Sequence, residues 1–473
     1  MHMKNIMLLV SFSLIYIGIA AHAHAEKERS NSVISERLIA QIDPSLWINK
    51  SVKISPNSKR VAYVAHIDKK EFMVVDGKEE KQYDGILESP LIFSPDSKRV
   101  AYASMLDDRW FVVVDGKEEK QYDYIGSPIF SYDSKRVAYK ARLSNRWFMV
   151  VDGKEEEQYD YIGSPIFSPD SKRVAYKAQI GDKGLIVVDR KKEKQYDYIH
   201  APLYRTGPQI SHDPIFSPDS KRVAYEARAG DKRFAVVDGK NGKQYDYITT
   251  PIFSPDSKHV AYTAVTADKK CFVVVDGQEE KQYNGIGFPI FSTDSNRVAY
   301  LAQVVVPKWF VVVNGKEEKQ YDYNNTPIFS PDSKRIAYWA RIGNKEFVVV
   351  DGKEGKKYDD ILGDPLIFSP DSKRLAYAVQ EGEKKLVVVD GQERKKYDCV
   401  LESPLIFSPD SKRVAYTARL GDRWFVVVDG QEGKKYDAII TIGGGRIIFD
   451  STDSLHYLAL KGKAIYLVEE TIR

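Results

Sequence analysis

From Ser127 to Gly163 the apolar and polar positions fall into short blocks, each the length of a β-strand. Pro128-Ile129-Phe130-Ser131 is an apolar run stopped by the turn residues Asp133-Ser134, and Arg136 to Ala141 forms a second extended run. The polar pair Ser144-Asn145 precedes Trp147-Phe148-Met149-Val150-Val151, after which Asp152-Gly153 turns the chain into a fourth run, Gln158-Tyr159-Asp160-Tyr161-Ile162. Asp-Gly suits a two-residue hairpin, whose central residues need a positive φ that Gly adopts freely and Asp tolerates. Arg190 stands where the other turns carry Gly and is expected to be slightly strained. The third run is apolar without alternation, which predicts a strand covered on both faces.

The same pattern recurs eleven times. The acidic position of Ser-Pro-Asp-Ser-Lys-Arg-Val-Ala-Tyr falls at Asp96, Asp133, Asp170, Asp219, Asp256, Asp294, Asp332, Asp371, Asp410 and Asp453, after a variant copy at Asn57. Successive spacings run from 37 to 39 residues, except for 49 before Asp219 and 43 before Asp453. One unit buries about five large apolar side chains at roughly 1.5 to 3 kcal/mol each, while ordering its residues costs about 1 to 2 kcal/mol apiece. A single copy therefore cannot fold alone, and the copies must pack on one another.

A four-stranded sheet covered on both faces by its like is a propeller blade. The fold class expected is all-β: a β-propeller of four-stranded antiparallel blades. Common propellers have about four to eight blades. Eleven copies therefore imply either one large ring or two rings split near residue 205, at the insertion His200 to Asp213, giving sub-divisions 26–200 and 214–473. The last copy, Ile447 to Thr471, shows three strands and no fourth. Ser32 to Ile42, with Val33, Ile34, Leu38 and Ile39, is expected to supply that missing outer strand and join the two ends of the chain.

The Ser-Pro-Asp-Ser-Lys-Arg-Val-Ala-Tyr block resembles the WD40-like (PD40) repeat of the TolB-type propellers, whose first two strands flank a Ser-Pro-Asp-Gly-Lys turn. Seven copies carry Ser-Pro-Asp-Ser in full; the others read Ser55-Pro56-Asn57-Ser58, Ser131-Tyr132-Asp133-Ser134, Ser292-Thr293-Asp294-Ser295 and Ser451-Thr452-Asp453-Ser454. The resemblance covers nearly all of residues 26–473 and implies a rigid interaction platform in the periplasm or outside the cell. About 25 residues lie between the apparent signal and the first blade, so the N-terminal domain of TolB proper is not expected, and the TolB role is not carried over.

Charge and composition narrow the function class. Lys and Arg total 71 against 67 Asp and Glu, a net charge of +4, with the signs interleaved in runs such as Lys117-Glu118-Glu119-Lys120. Such a surface has no basic stripe for nucleic acid. Residues 1–25 read as a secretory signal: Lys4, the apolar stretch Met7 to Ala21, then Ala23-His24-Ala25 before a cleavage at Glu26. The mature chain is expected to be exported, periplasmic or extracellular, with no membrane span after cleavage. Cys271 and Cys399 sit in different columns of copies three units apart and are not expected to form a disulfide.

Comparing the copies separates uniform from variable positions. The Ser-Pro-Asp-Ser-Lys and Asp-Gly-Lys-Glu-Glu-Lys turns hardly change, and both open on one face, where they read as turn chemistry plus solvated charge. On the opposite face the copies diverge. The position after the motif Tyr varies and includes Trp339. Two positions further on come Arg142, Arg228, Arg341 and Arg419, and the third run starts at Trp110, Trp147, Trp309 or Trp424. Trp and Arg are the residue types that anchor interfaces, so these nine positions are the expected partner-binding set, the partner being a protein or a cell-envelope polymer.

Catalysis needs a constellation that is not copied. His66, His200, His212, His259 and His456 fall in unrelated columns without metal-ligand spacing, and there is neither a Gly-x-Ser-x-Gly elbow nor a phosphate-binding loop after Gly443-Gly444-Gly445. The expectation is a non-enzymatic binding scaffold with no catalytic residue, metal or cofactor. The alternative is a hydrolase-type propeller acting on glycan or peptide with residues from several blades around the central channel.

Overall fold

The computed structural model describes residues 32–42, 51–87, 91–197, 213–363, 366–400 and 405–472. The signal segment 1–25 and all of the 200–213 insertion but its last residue lie outside them. Eleven small antiparallel sheets form one ring, an eleven-bladed β-propeller. Blades are numbered here in chain order of their Ser-Pro-Asp-Ser turns, from Asn57 (blade 1) to Asp453 (blade 11).

Blade 3 shows the common plan. Its first strand is split into Tyr124–Ile125 and Ile129–Phe130, both paired with Val137–Leu143; Arg146–Val151 and Lys154–Tyr159 follow in order. This corrects the fourth run read from the sequence. Tyr159 ends the fourth strand opposite Trp147, whereas Tyr161–Ile162 cross to the next blade and pair with Gln179 and Ala178. The Asp-Gly turns behave as expected: Asp152 and Gly153 have φ of 53° and 72°. Arg190 holds φ at 66°, and its Nε donates to Glu156 at 3.0 Å.

The unbroken apolar third strand is explained by alternate side chains facing alternate neighbours. Phe111 and Val113 pack with blade 1, while Val112 and Val114 pack with blade 3. In that second interface Tyr122 meets Phe148 edge-on at 5.5 Å, a geometry that aromatic quadrupoles favour. Every interface repeats this arrangement, including the one across the long insertion, where Ile186 and Val188 of blade 4 pack with Tyr225 and Phe234 of blade 5. The ring therefore continues through the insertion, as one ring and not two.

Eleven blades give eleven such interfaces only if the ring closes. The eleventh contains Leu458, Ile465 and Leu467 of blade 11 with Val61, Phe72 and Val74 of blade 1. Closure uses the strand expected for it: Ser32–Gln41 pairs antiparallel with Ala464–Ile472 as the fourth strand of blade 11. Near the inner strand of blade 11, Gly443 sits at φ 64° against the Val52 carbonyl of blade 1, where an added Cβ would lie 2.3 Å from the oxygen. Only glycine allows that approach.

Candidate functional site

Three polar fasteners recur around the ring, and they account for most of the copied charge. In the first, Asp133 accepts from Ser131 Oγ at 2.6 Å and from the Lys135 N–H at 3.1 Å, an Asx-type turn. The Ser131 bond and then the Lys135 amide hold this carboxyl below its ordinary value. The Asp133 N–H donates to Ser171 Oγ of blade 4 at 2.8 Å. Arg136 Nη1 donates to the Ser171 and Lys172 carbonyls at 3.2 and 2.8 Å, its Nε to Asp152 at 2.9 Å, and its guanidinium lies 5.2 Å over the Phe167 ring. The charge on this face is thus not merely solvated, because its arginines tie most blades to the next.

The second fastener lies along the fourth strands. Lys120 Nζ and Tyr122 Oη of blade 2 both donate to Glu155 Oε1 of blade 3, at 2.7 and 3.1 Å. Between blades 3 and 4 the charges are exchanged in compensation: Glu157 accepts from Lys192 at 2.5 Å. At the closure, Glu36 of the N-terminal strand takes the glutamate's part, accepting from Tyr436 Oη at 2.7 Å and Lys434 Nζ at 2.9 Å. The third fastener is on the hairpin face. Asp160 accepts from Arg146 of its own blade and, at 2.7 Å, from the Gly181 N–H of the next.

Departures from the pattern are local. His259 replaces the fastening Arg in blade 6; it reaches Asp276 at 2.6 Å and stacks on Phe291, without the two carbonyl bonds that Arg136 makes. In blade 11, His456 bonds Asp450 and the Asn57 carbonyl of blade 1, each at 2.7 Å, which seals the ring where the motif turn is remade.

The nine sequence-predicted positions lie on or near the hairpin face, distributed over six blades. Trp147 faces Arg142 across the sheet and Trp424 faces Arg419, with guanidinium-to-ring distances of 5.5 Å in both pairs. Trp110 and Trp309 occupy the same register opposite Met105 and Gln303. All four tryptophans are half-buried, and Trp110, Trp147 and Trp424 press one side onto an interblade core. Arg341 is exposed and lies 5.4 Å from the Tyr323 ring. Trp339 sits deeper than a hairpin residue, against the core between blades 8 and 9, 5.3 Å from Tyr323. Arg228 turns back on its own hairpin, donating to the Gly230 carbonyl at 2.6 Å. The nine positions do not converge on one patch.

The densest cluster joins blades 3 and 4 and includes residues the sequence reading did not single out. Trp147 meets Tyr124 edge-on at 5.3 Å and Tyr161 of the next blade at 5.8 Å. Lys140 Nζ lies 5.4 Å from the Trp147 ring and 5.5 Å from Tyr161, while Arg142 covers Tyr124 at 5.9 Å. Neither Lys140 nor Arg142 has an ion-pair partner among the described residues. Burial holds the Lys140 ammonium below its ordinary value, a shift that Asp213 opposes and Lys177 reinforces. Lys177 itself pairs with Asp213 at 3.6 Å, beside the insertion. The sequence held only a partial signal for the missed tyrosines: Tyr-Asp-Tyr occurs at Tyr122 to Tyr124 and Tyr159 to Tyr161, but also at Tyr196 to Tyr198, Tyr245 to Tyr247 and Tyr321 to Tyr323.

Among the described residues, no group of three or more His, Cys, Asp or Glu is placed to hold a metal ion. Cys271 and Cys399 are both free thiols. Among the same residues no helix is long and apolar enough to cross a membrane.

No family model matches the chain, and no curated protein matches it. Among solved structures it is similar to a eukaryotic initiation factor, at 13% identity over 76% of this chain and 91% of that one, with a TM-score of 0.41. It is also similar to TolB from Acinetobacter baumannii, at 18% identity over 47% of this chain and 62% of that one, with a TM-score of 0.25. A third is the β-propeller domain of the Trilobed protease from Pyrococcus furiosus, described as having an open velcro topology: 16% identity, 55% and 93% covered, TM-score 0.27. The neighbours thus include a TolB and a protease propeller. At these identities and TM-scores none of them bears on what this chain does.

Proposed function

We propose that this chain is an exported, non-catalytic β-propeller that holds a protein or a cell-envelope polymer on its hairpin face, centred on the junction of blades 3 and 4. The observation that carries this reading is the Tyr124, Trp147 and Tyr161 stack flanked by Lys140 and Arg142. These residues take no part in the three fasteners as side chains. Two cations without an ion-pair partner among the described residues, beside half-buried Trp147 and Tyr161 and exposed Tyr124, supply large contact area and polar handles together, the combination found at interface hot spots. A carboxylate-bearing partner surface, or a sugar ring with acidic substituents, matches both components.

The test is affinity capture from the exporting cell's envelope fraction with the wild-type protein and a Trp147→Ala/Arg142→Ala variant. Loss of the captured partner, with an unchanged far-UV spectrum, is the expected result. Full retention of the partner by the variant refutes the assignment of this cluster.

A further inference from the structure

The second glutamate of the Lys-Glu-Glu run has its own place between blades. Glu156 accepts from Tyr176 Oη of the next blade at 2.9 Å, and Glu280 from Tyr300 Oη at 2.6 Å. The Glu119 and Glu318 carboxylates instead lie against the turn glycines Gly153 and Gly352 of the following blades, 3.2 and 3.4 Å from where a Cβ would stand. In blade 8 this glutamate is replaced by Gly355, although the backbone keeps the same hydrogen bond: Gly355 N–H to the Val348 carbonyl at 2.8 Å, as Glu119 N–H to Val112 at 2.9 Å. The space left behind is a cavity of about 300 Å³, bounded in part by Arg335, Lys353, Gly355, Lys373, Tyr377 and Gly391.

The polar wall of this cavity is set up for an anion. Its two carboxylates are already engaged: Glu354 by Lys319 and Tyr321 at 2.6 and 3.2 Å, Asp390 by Arg374 and the Leu375 N–H at 2.9 and 3.0 Å. Lys353 has no ion-pair partner among the described residues, and Lys373 has only Asp371 at 3.8 Å. Tyr377 has no hydrogen-bond acceptor among the described residues. Burial pushes its hydroxyl up to about 12, so it stays protonated as a donor at neutral pH.

We infer that the cavity between blades 8 and 9 binds a ligand carboxylate on a short aliphatic stem, seated where other copies seat a glutamate side chain. The ring itself is the precedent, since a carboxylate accepting from the equivalent tyrosine occurs at Glu156 and Glu280. Propionate is that side chain detached from its backbone, and it is the probe of choice.

Propionate should raise the melting temperature of the wild-type protein in a concentration-dependent manner, against sodium chloride at matched ionic strength. The shift should vanish in Gly355→Glu, which fills the site from within, and shrink in Tyr377→Phe, which removes only the donor. N-acetyl-glutamate amide, added separately, distinguishes the sources. A shift with both compounds assigns the site to a carboxylate carried by a protein, and a shift with propionate alone assigns it to a free acid. Equal shifts in wild type and Gly355→Glu, no shift in wild type, or stabilisation by inorganic phosphate but not propionate overturns the inference. Should Gly355→Glu fail to fold, Tyr377→Phe decides, an undiminished shift counting against the site.

Discussion

Glu36 is the point at which the ring is most exposed to a single substitution. It accepts from Tyr436 Oη at 2.7 Å and Lys434 Nζ at 2.9 Å, its side chain is 18% exposed, and Tyr436 is fully buried. In Glu36→Ala the tyrosine loses its carboxylate acceptor, at about 1 to 3 kcal/mol. The partly exposed lysine pair adds at most about 1 kcal/mol. The strand Ser32–Gln41 is not joined by a hairpin to the strand it pairs with, Ala464–Ile472. Opening it needs no unfolding of a turn, so the whole loss of roughly 1 to 4 kcal/mol should appear as easier local opening. At about 1.4 kcal/mol per tenfold change, amides of Ala464–Ile472 that bond to Ser32–Gln41 should exchange roughly 5 to 700 times faster. Native-state hydrogen exchange read by mass spectrometry measures this directly. Glu155→Ala is the control, because it breaks the same local contacts to Lys120 and Tyr122. There the strand Lys154–Tyr159 remains tied to its neighbour through the Asp152-Gly153 turn. Unchanged exchange in Ala464–Ile472, or an equal acceleration in the control, would refute the reasoning.

Two further predictions follow from the fasteners. His259→Arg should restore bonds to the turn carbonyls of blade 7 and raise stability by about 1 kcal/mol, read as a higher urea midpoint; an unchanged or lower midpoint contradicts the role given to these arginines. The Ser-Pro-Asp-Ser carboxylates make the ring acid-sensitive. Asp294, bonded by Ser292 and then by Asn296, is lowered from 3.8 to about 2. A folded value below the unfolded one means that the stabilisation is fully present above 3.8 and is lost as the pH falls through about 2. Urea midpoints should drop across that window, and Asp294→Asn should flatten the dependence; equal slopes in the two proteins would count against it.

The strands were legible because their signals are local. Short apolar runs, Asp-Gly turns and Ser-Pro-Asp-Ser each act within a few residues, and repetition made every reading self-checking. The fourth run was misjudged for a reason of the same kind: nothing within Tyr159 to Ile162 says that Tyr159 stays with one sheet while Tyr161 joins the next. The nine-residue binding set identified the variable face but not its densest part. Lys140 and Tyr161 fall in one repeat unit of the sequence but in different blades, and only the packing of adjacent blades brings the ammonium to 5.5 Å from the ring.

From sequence alone came the all-β class, the four-strand unit, its elevenfold count and the source of the closing strand. These follow from side-chain periodicity and turn chemistry, which need no distant partner. The tertiary structure decided that the eleven units form one ring, since closure depends on a small rotation summed over every interface and no single residue encodes it. It also decided which copied charges fasten blades, and which aromatic and cationic side chains gather beside them at the junction of blades 3 and 4. Those assignments rest largely on contacts between neighbouring blades, which local sequence does not encode.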